Sequence, residues 1–211
     1  IAGGKMPETF MPQTAGEGQP LTTDRFRDLL KREGIQWIPP GESGSPGQSD
    51  ARGWTEGGQI DKWGHKMESR LAAAVEEELE NLCERIAGLL EVGWRSVRVV
   101  TDHGWLLLPG GLPKHDLPNY LVAGKWARCA AIKGSSRVDV PTAHWHWNPA
   151  EVFATAPGVA CFTAGLEYAH GGLSLQECLL PDLRIVSAAE AIQARITEIQ
   201  WVGMRCRVRV E

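Results

Sequence analysis

The sequence reads LAAAVEEELENLCERIAGLL over residues 71–90 and SVRVVT over residues 96–101, and these two segments decide the predicted fold. In the first segment, apolar residues recur at steps of three and four, which predicts one long amphipathic helix over residues 66–90. The second segment is short and β-branched, as buried strands are. A helix that leads directly into such a strand predicts an α/β fold with a mostly parallel sheet flanked by helices.

Further elements are predicted on both sides of this unit. They are a helix over residues 24–32, capped by Thr23 and ended by Gly34, and strands over residues 35–38, 127–132 and 159–164. Residues 39–58 are rich in glycine, serine and proline, which predicts a long loop. This loop is either a lid over a site or a plain solvated insertion.

The composition is that of a folded chain and excludes several classes of protein. Of the 211 residues, 43% are hydrophobic and 23% are charged. The sequence contains no run of about 20 apolar residues, which is the length that spans a membrane. With 22 basic and 26 acidic residues, the net charge of −4 excludes a generally basic surface for sequence-independent binding of nucleic acid. The five cysteines form no C-x-x-C motif, so neither a disulfide framework nor a zinc ribbon is predicted, and a reducing, cytoplasmic location is expected.

The first candidate site is the segment Asp61-Lys62-Trp63-Gly64-His65. A carboxylate and an imidazole four residues apart at a helix start lie on one side of the turn, which is a spacing of metal ligands. The alternative is that Asp61 caps the helix and His65 is solvated.

The second candidate site is Asp102-His103-Gly104, at the end of the predicted strand over residues 96–101. Adjacent side chains on a strand point to opposite faces, so the two converge only if the strand stops there, which Gly104 permits. Mixed oxygen and nitrogen ligands suit zinc or manganese. A simple strand-end cap is the alternative.

The third candidate site is His170. It is followed by two glycines and by the capping box Ser174-x-x-Glu177. The glycines let the backbone bend closely around whatever His170 binds. The alternative is a histidine with a purely structural role in a glycine-rich turn.

The remaining histidines are left outside this set. His144 and His146 alternate with tryptophans, so on a strand both imidazoles would share one face. We interpret this segment as the lining of a substrate pocket or as tryptophan packing, with a ligand pair as the alternative. His115 is interpreted as solvated. No phosphate-binding loop, G-x-S-x-G elbow or reactive-cysteine motif is present.

In this order, D-x-x-x-H, D-H and a late histidine before Gly-Gly-x-Ser resemble the motifs of the alkaline phosphatase superfamily of two-metal phosphoester hydrolases. More closely, RVVTDHGWLLLPGGLPK (residues 98–114) and EYAHGGLSLQEC (residues 167–178) resemble the PglZ family, the phosphatase-like component of BREX phage-defence systems. The resemblance covers the chain from residue 21 to about residue 181.

The resemblance implies two divalent metal ions, with zinc expected and manganese as the alternative. In the superfamily, one ion is held by the D-x-x-x-H motif and the late histidine, which correspond here to Asp61, His65 and His170. The other ion takes the D-H pair, here Asp102 and His103, together with an earlier aspartate and a serine or threonine nucleophile. No residue before Asp61 matches these last two ligands.

The implied function is metal-dependent hydrolysis of phosphate monoesters or diesters, with nucleic acid as a candidate substrate and other BREX proteins as partners. Lys66 either neutralises phosphate or is a solvated lysine of the first helical turn. The unmatched nucleophile means either that it lies upstream, in a larger PglZ-like protein, or that the chain is a degenerate member. The alternative function is a catalytically inactive, phosphatase-like scaffold in a defence complex.

The chain is therefore expected to have two parts. Residues 1–187 form the C-terminal part of a PglZ-like metal-hydrolase domain, with an alkaline-phosphatase-like sheet. Residues 188–211 comprise a linker and two strands that begin a β-rich C-terminal domain. We expect the fragment alone to be inactive.

Overall fold

The structure is a computed structural model that describes residues 13–14, 18–145, 148–187, 196–202 and 205–210. The helices in this part of the chain are α1 (Thr23–Arg32), α2 (Ile60–Met67), α3 (Val75–Glu91) and α4 (Leu175–Cys178). The strands are β1 (Ile35–Trp37), β2 (Arg52–Trp54), β3 (Ser96–Val100), β4 (Leu106–Leu107), β5 (Val122–Lys125), β6 (Cys129–Ile132), β7 (Thr142–His144), β8 (Val152–Thr155), β9 (Tyr168–Ala169), β10 (Asp182–Val186), β11 (Ile196–Val202) and β12 (Arg205–Val210). None of the helices described is long and apolar enough to cross a membrane.

The strands form small sheets. One sheet is antiparallel with the order β5-β6-β8-β7, and further antiparallel pairs join β3 to β10, β4 to β9 and β11 to β12. Among the described strands, β1 and β2 form the one parallel pair. The α/β class is confirmed in this mixed form, whereas a mostly parallel sheet is not seen in the described residues. Only residues 126–128 separate β5 from β6, which suits a hairpin and is too short for a parallel crossover.

The prediction of one continuous helix over residues 66–90 is wrong, because the structure has two helices there with an interruption between them. Helix α2 ends at Met67, a 3₁₀ helix follows over Glu68–Ala73, and α3 begins at Val75. Glu68 has φ 52° and ψ −129°, a conformation that a right-handed helix cannot contain. Leu71 stays fully buried across the interruption, so the apolar spacing gives no sign of it.

The other predicted elements are confirmed with two corrections. The helix over residues 24–32 and the strands over residues 35–38, 96–101 and 127–132 correspond to α1, β1, β3 and β6. The cap of α1 is Thr22 and not Thr23. Residues 159–164 form no strand, since Cys161 makes only an isolated bridge to Lys114.

The glycine-rich segment over residues 39–58 is packed against the protein. It contains β2, which pairs with β1. The indole N–H of Trp94 donates a hydrogen bond of 2.8 Å to the carbonyl of Ser43, and Trp94 belongs to a buried cluster with Ile38 and Leu89. These contacts place the part of the segment around Ser43 against that cluster.

One buried cluster positions the candidate site. It consists of Leu106, Leu112, Cys161 and Ala169, and it fixes β4 against β9. Because β9 ends at Ala169, the packing of this cluster also sets the position of His170.

The two strands predicted near the end of the chain are confirmed as the antiparallel pair β11 and β12. Residues 188–195, which include the predicted linker, lie outside the described residues. The division into two domains at residue 187 stays a prediction.

Candidate metal centre

Asp61, His65 and His170 converge at one place on the protein. Asp61 and His65 lie four residues apart on α2, so their side chains share a face of the helix. Nε2 of His170 lies 3.1 Å from Oδ1 of Asp61 and 3.0 Å from Nε2 of His65. Oδ1 of Asp61 and Nε2 of His65 are 3.5 Å apart. Two segments more than 100 residues apart in sequence thus direct three donor atoms to one point.

These three donors fit a divalent metal ion. Imidazole nitrogens and carboxylate oxygens bind zinc at about 2.0–2.1 Å, which places tetrahedral ligands about 3.3 Å from one another. The separations of 3.0, 3.1 and 3.5 Å fall around this value. No other group of three histidine, cysteine or acidic side chains in the described ranges has such spacing. Three protein ligands with an open fourth position are typical of catalytic zinc sites.

Tyr168 holds the Asp61 carboxylate in place. Its hydroxyl donates a hydrogen bond of 3.1 Å to Oδ1 of Asp61, the same oxygen that faces both imidazoles. Tyr168 is 1% exposed, and its ring meets the ring of His65 edge-on, with centroids 5.1 Å apart. Burial and the neighbouring Asp61 carboxylate raise the pKa of Tyr168, so the phenol stays a neutral donor. Tyr168 was not predicted from the sequence, where its only local signal is its position two residues before His170.

His103 reaches the site from the segment after β3. Its ring stacks on the ring of His170, with centroids 4.1 Å apart and planes inclined by 13°. Nδ1 of His103 lies 2.9 Å from the carbonyl oxygen of Gly104. Because a carbonyl only accepts hydrogen bonds, Nδ1 carries the proton of the neutral ring, and Nε2 keeps the lone pair that can bind a metal.

Asp102 lies at the rim of the site. Its side chain is 91% exposed, and its Oδ1 is 3.9 Å from Nε2 of His103. The structure therefore brings together four of the five candidate ligands, with Asp102 beside them and open to solvent. The backbone N–H of Gly104 donates to the carbonyl of Glu177 at 2.9 Å, which joins this segment to α4.

The surroundings of His170 favour its neutral form. Burial lowers the pKa of His170, and the neighbouring imidazoles of His103 and His65 lower it further, against the opposing effect of Asp61. A neutral imidazole is the form that binds metal. The electrostatics of the site thus agree with its donor chemistry.

A buried ion pair supports the turn that follows His170. The side chains of Arg128 and Glu177 are each 1% exposed, and Nε and Nη2 of Arg128 donate to the two carboxylate oxygens at 3.1 and 2.8 Å. Arg128 also donates to the carbonyls of Ala156, Gly158 and Ala160. The partners of Arg128 lie 28 or more residues away in sequence, so no local pattern predicts its role.

Glu177 completes this support from α4. It accepts hydrogen bonds from the backbone N–H groups of Gly172 and Ser174 at 2.8 and 3.1 Å, and the predicted capping box is confirmed. Burial alone would raise the pKa of Glu177, but the bonds from Arg128, Ser174 and Gly172 outweigh it and lower the pKa to about 2. The His170 turn is therefore held by an ionised carboxylate inside the protein.

The other histidines and Lys66 lie outside this group. His144 is exposed, with its Nδ1 2.7 Å from the carbonyl oxygen of Pro149, and the ring of His115 meets Phe162 edge-on. His146 lies outside the described residues. Lys66 is exposed on α2 directly after His65, where its ammonium group is open to solvent.

Close packing between α2 and β9 predicts opposite effects of alanine at two helical glycines. A Cβ added at Gly64 would lie 2.3 Å from the ring of Tyr168, whereas one added at Gly88 in α3 would meet no atom within 4 Å. Gly64→Ala is expected to destabilise the protein by about 1–3 kcal/mol through overpacking. Gly88→Ala, the matched control, is expected to stabilise it by about 0.5–1 kcal/mol. Urea unfolding of both variants tests this, and equal effects would contradict the packing of Tyr168 on α2.

The chain was compared with known proteins by sequence and by structure. No family model, no curated protein and no solved structure matches it. The function is therefore inferred from the residues and the geometry of the site.

Proposed function

We propose that this chain carries the metal-binding part of a metal-dependent phosphoester hydrolase of the PglZ kind. The observation that carries the proposal is the convergence of Asp61, His65 and His170, with His103 stacked against them. Accidental motifs would have no reason to meet in space, since the D-x-x-x-H, D-H and late-histidine segments are widely separated in sequence. The alkaline-phosphatase-like fold of the parent domain is part of the proposal.

The residues have distinct roles in the proposed site. Asp61, His65 and His170 hold one divalent ion, zinc or alternatively manganese, while Nε2 of His103 and the Asp102 carboxylate offer ligands for a second. Bound divalent ions supply Lewis-acid stabilisation of charge on the phosphoryl oxygens and activation of a nucleophile. Tyr168 fixes the orientation of Asp61.

The nucleophile is proposed to lie upstream of this chain. Thr22 is the cap of α1 and accepts a hydrogen bond from the backbone N–H of Arg25 at 3.4 Å, and Thr23 is the first residue of that helix. Neither hydroxyl is part of the group around His170. The chain alone is accordingly expected to bind metal without hydrolysing esters.

The substrate is a phosphate monoester or diester, and nucleic acid is the candidate with biological relevance to phage defence. Lys66 lies on α2 beside His65 and is open to solvent, so its ammonium group is available to a phosphate. Other BREX proteins as partners and a cytoplasmic location belong to the same proposal.

A second candidate function is a catalytically inactive scaffold in a defence complex. It is favoured by the position of Asp102, whose side chain is 91% exposed and does not join the three converging donors. In that case the metal ion would contribute stability only.

An assay of ester hydrolysis by a longer protein that includes the upstream segment distinguishes the hydrolase from the scaffold. With Zn²⁺ or Mn²⁺ added, bis(4-nitrophenyl) phosphate and 4-nitrophenyl phosphate are the substrates. Activity is expected to fall by more than about 100-fold in His65→Ala and in Asp102→Ala, because a lost ligand should cost more than the 10–100-fold typical of second-shell changes. His144→Ala, at an exposed histidine away from the site, should retain activity. Metal binding without hydrolysis of either ester would favour the scaffold.

A further inference from the structure

The interruption between α2 and α3 is built on a residue in a conformation that glycine normally adopts. Glu68 has φ 52° and ψ −129°, and all the other described residues with positive φ are glycines. Non-glycine residues persist in such conformations only where the surrounding structure holds them there, and such positions cluster at functional sites. The question is therefore what holds Glu68.

The carboxylate of Glu68 binds the backbone of β9. Its Oε2 accepts hydrogen bonds from the backbone N–H groups of Glu167 and Tyr168 at 2.7 and 2.6 Å. In return, the backbone N–H of Ser69 donates to Oε2 of Glu167 at 3.1 Å. The other oxygen of Glu167 accepts from the N–H of Gly110 at 2.8 Å. Glu68-Ser69 and Glu167-Tyr168 thus form a reciprocal clamp.

This clamp lies between the two segments that supply the candidate metal ligands. Glu68 follows His65 by three residues, and Tyr168 precedes His170 by two. Strand β9 pairs only with β4 among the described strands, and no backbone–backbone hydrogen bond in the described part of the chain joins β9 to α2. The alignment of α2 with β9 therefore depends on side chains, and Glu68 supplies two charge-assisted bonds to it.

We infer that Glu68 is a positioning residue, which holds His170 at metal-binding distance from Asp61 and His65. The inference rests on the metal site of the proposed function and adds a residue outside the ligand set. The continuing helix that the apolar pattern favours would direct the Glu68 side chain differently. The strained backbone turns its carboxylate to the N–H groups of β9.

The test compares Glu68→Gly with Glu68→Gln in the full chain. Glycine adopts the observed φ and ψ freely, so the fold should persist while both hydrogen bonds are lost. Glutamine keeps an oxygen that can accept both bonds without the charge. The Zn²⁺ dissociation constant, measured by competition with a chromophoric chelator, is expected to rise about 10–100-fold in Glu68→Gly and by less in Glu68→Gln.

A control variant and a hydrogen-exchange measurement distinguish the role of Glu68 from the proposed metal binding itself. Glu80→Gln removes one exposed carboxylate from α3 and should leave Zn²⁺ affinity unchanged. Hydrogen exchange of the Glu167 and Tyr168 amides, followed in metal-free protein, should be faster in Glu68→Gly than in the wild type. Wild-type Zn²⁺ affinity in a folded Glu68→Gly variant would overturn the inference. If the wild type binds no Zn²⁺, the proposed function fails, and unchanged amide exchange would then overturn the clamp as well.

Discussion

Replacement of His170 by alanine is expected to weaken Zn²⁺ binding by more than about 100-fold, because direct ligands should matter more than second-shell residues, whose loss costs 10–100-fold. His170 supplies the donor that lies 3.0 Å from Nε2 of His65 and 3.1 Å from Oδ1 of Asp61. Without it, only the two ligands on α2 remain. Those two lie on an exposed helical face and cannot enclose an ion.

Chelator competition near neutral pH, together with elemental analysis of the metal bound per chain, measures this effect. Wild-type protein should retain one equivalent of Zn²⁺ or Mn²⁺, and His170→Ala should retain none. His103→Ala should keep the ion, because His103 stacks on His170 and is not among the three converging donors. His144→Ala is the control for removal of a histidine elsewhere. Equal metal content in the wild type and His170→Ala would refute the assignment of the three ligands.

The three converging side chains could be predicted as candidate ligands because their signals are local in sequence. Asp61 and His65 need only the spacing of four residues that places side chains on one helical face. His170 is marked by two glycines and a capping box immediately after it. Their mutual contact is not a local property, and it was expected from the family resemblance alone.

The residues that hold the ligands could not be predicted in the same way. Tyr168 contacts Asp61 across 107 positions of sequence, and Glu68 contacts Glu167 across 99. Neither pair leaves a periodic signal, since each contact depends on how distant elements pack. The conformation of Glu68 is also hidden, because glutamate is an ordinary helix residue and the apolar spacing continues past it.

The pairing of the strands could also not be predicted from the sequence. Apolar runs such as residues 127–132 predict a buried strand correctly, but they do not specify its neighbours. The β6 strand lies between β5 and β8, antiparallel to both, and the short turn that joins it to β5 accounts for the antiparallel β5–β6 pair. Strand direction depends on such connections, and composition alone favoured the parallel alternative.

Removal of the negative charge from Glu177 is expected to be the most destabilising single change beneath the site. Glu177→Gln leaves the charge of the buried Arg128 guanidinium without a counter-charge, which typically costs about 3–5 kcal/mol. For a chain of this size, each kcal/mol lowers Tm by about 2–4 °C, so a decrease of about 6–20 °C should be seen in thermal unfolding. Asp182→Asn is the matched control, because it removes the carboxylate of a bidentate arginine pair whose side chains are 55% and 69% exposed. That control should change Tm little, since solvent screens exposed pairs.

The pH dependence of stability tests the same ion pair independently. Since the pKa of Glu177 is lowered from 4.5 to about 2 in the folded protein, its ionised form stabilises the fold fully above pH 4.5. That stabilisation is lost progressively as the pH falls from 4.5 towards 2, because the unfolded chain then binds a proton that the folded protein resists. In urea unfolding, the wild type should lose more stability over this interval than Glu177→Gln does. Parallel stability curves for the two proteins would contradict a stabilising ion pair between Arg128 and Glu177, and the support of the His170 turn would then come from the neutral hydrogen bonds of residue 177 to Gly172 and Ser174.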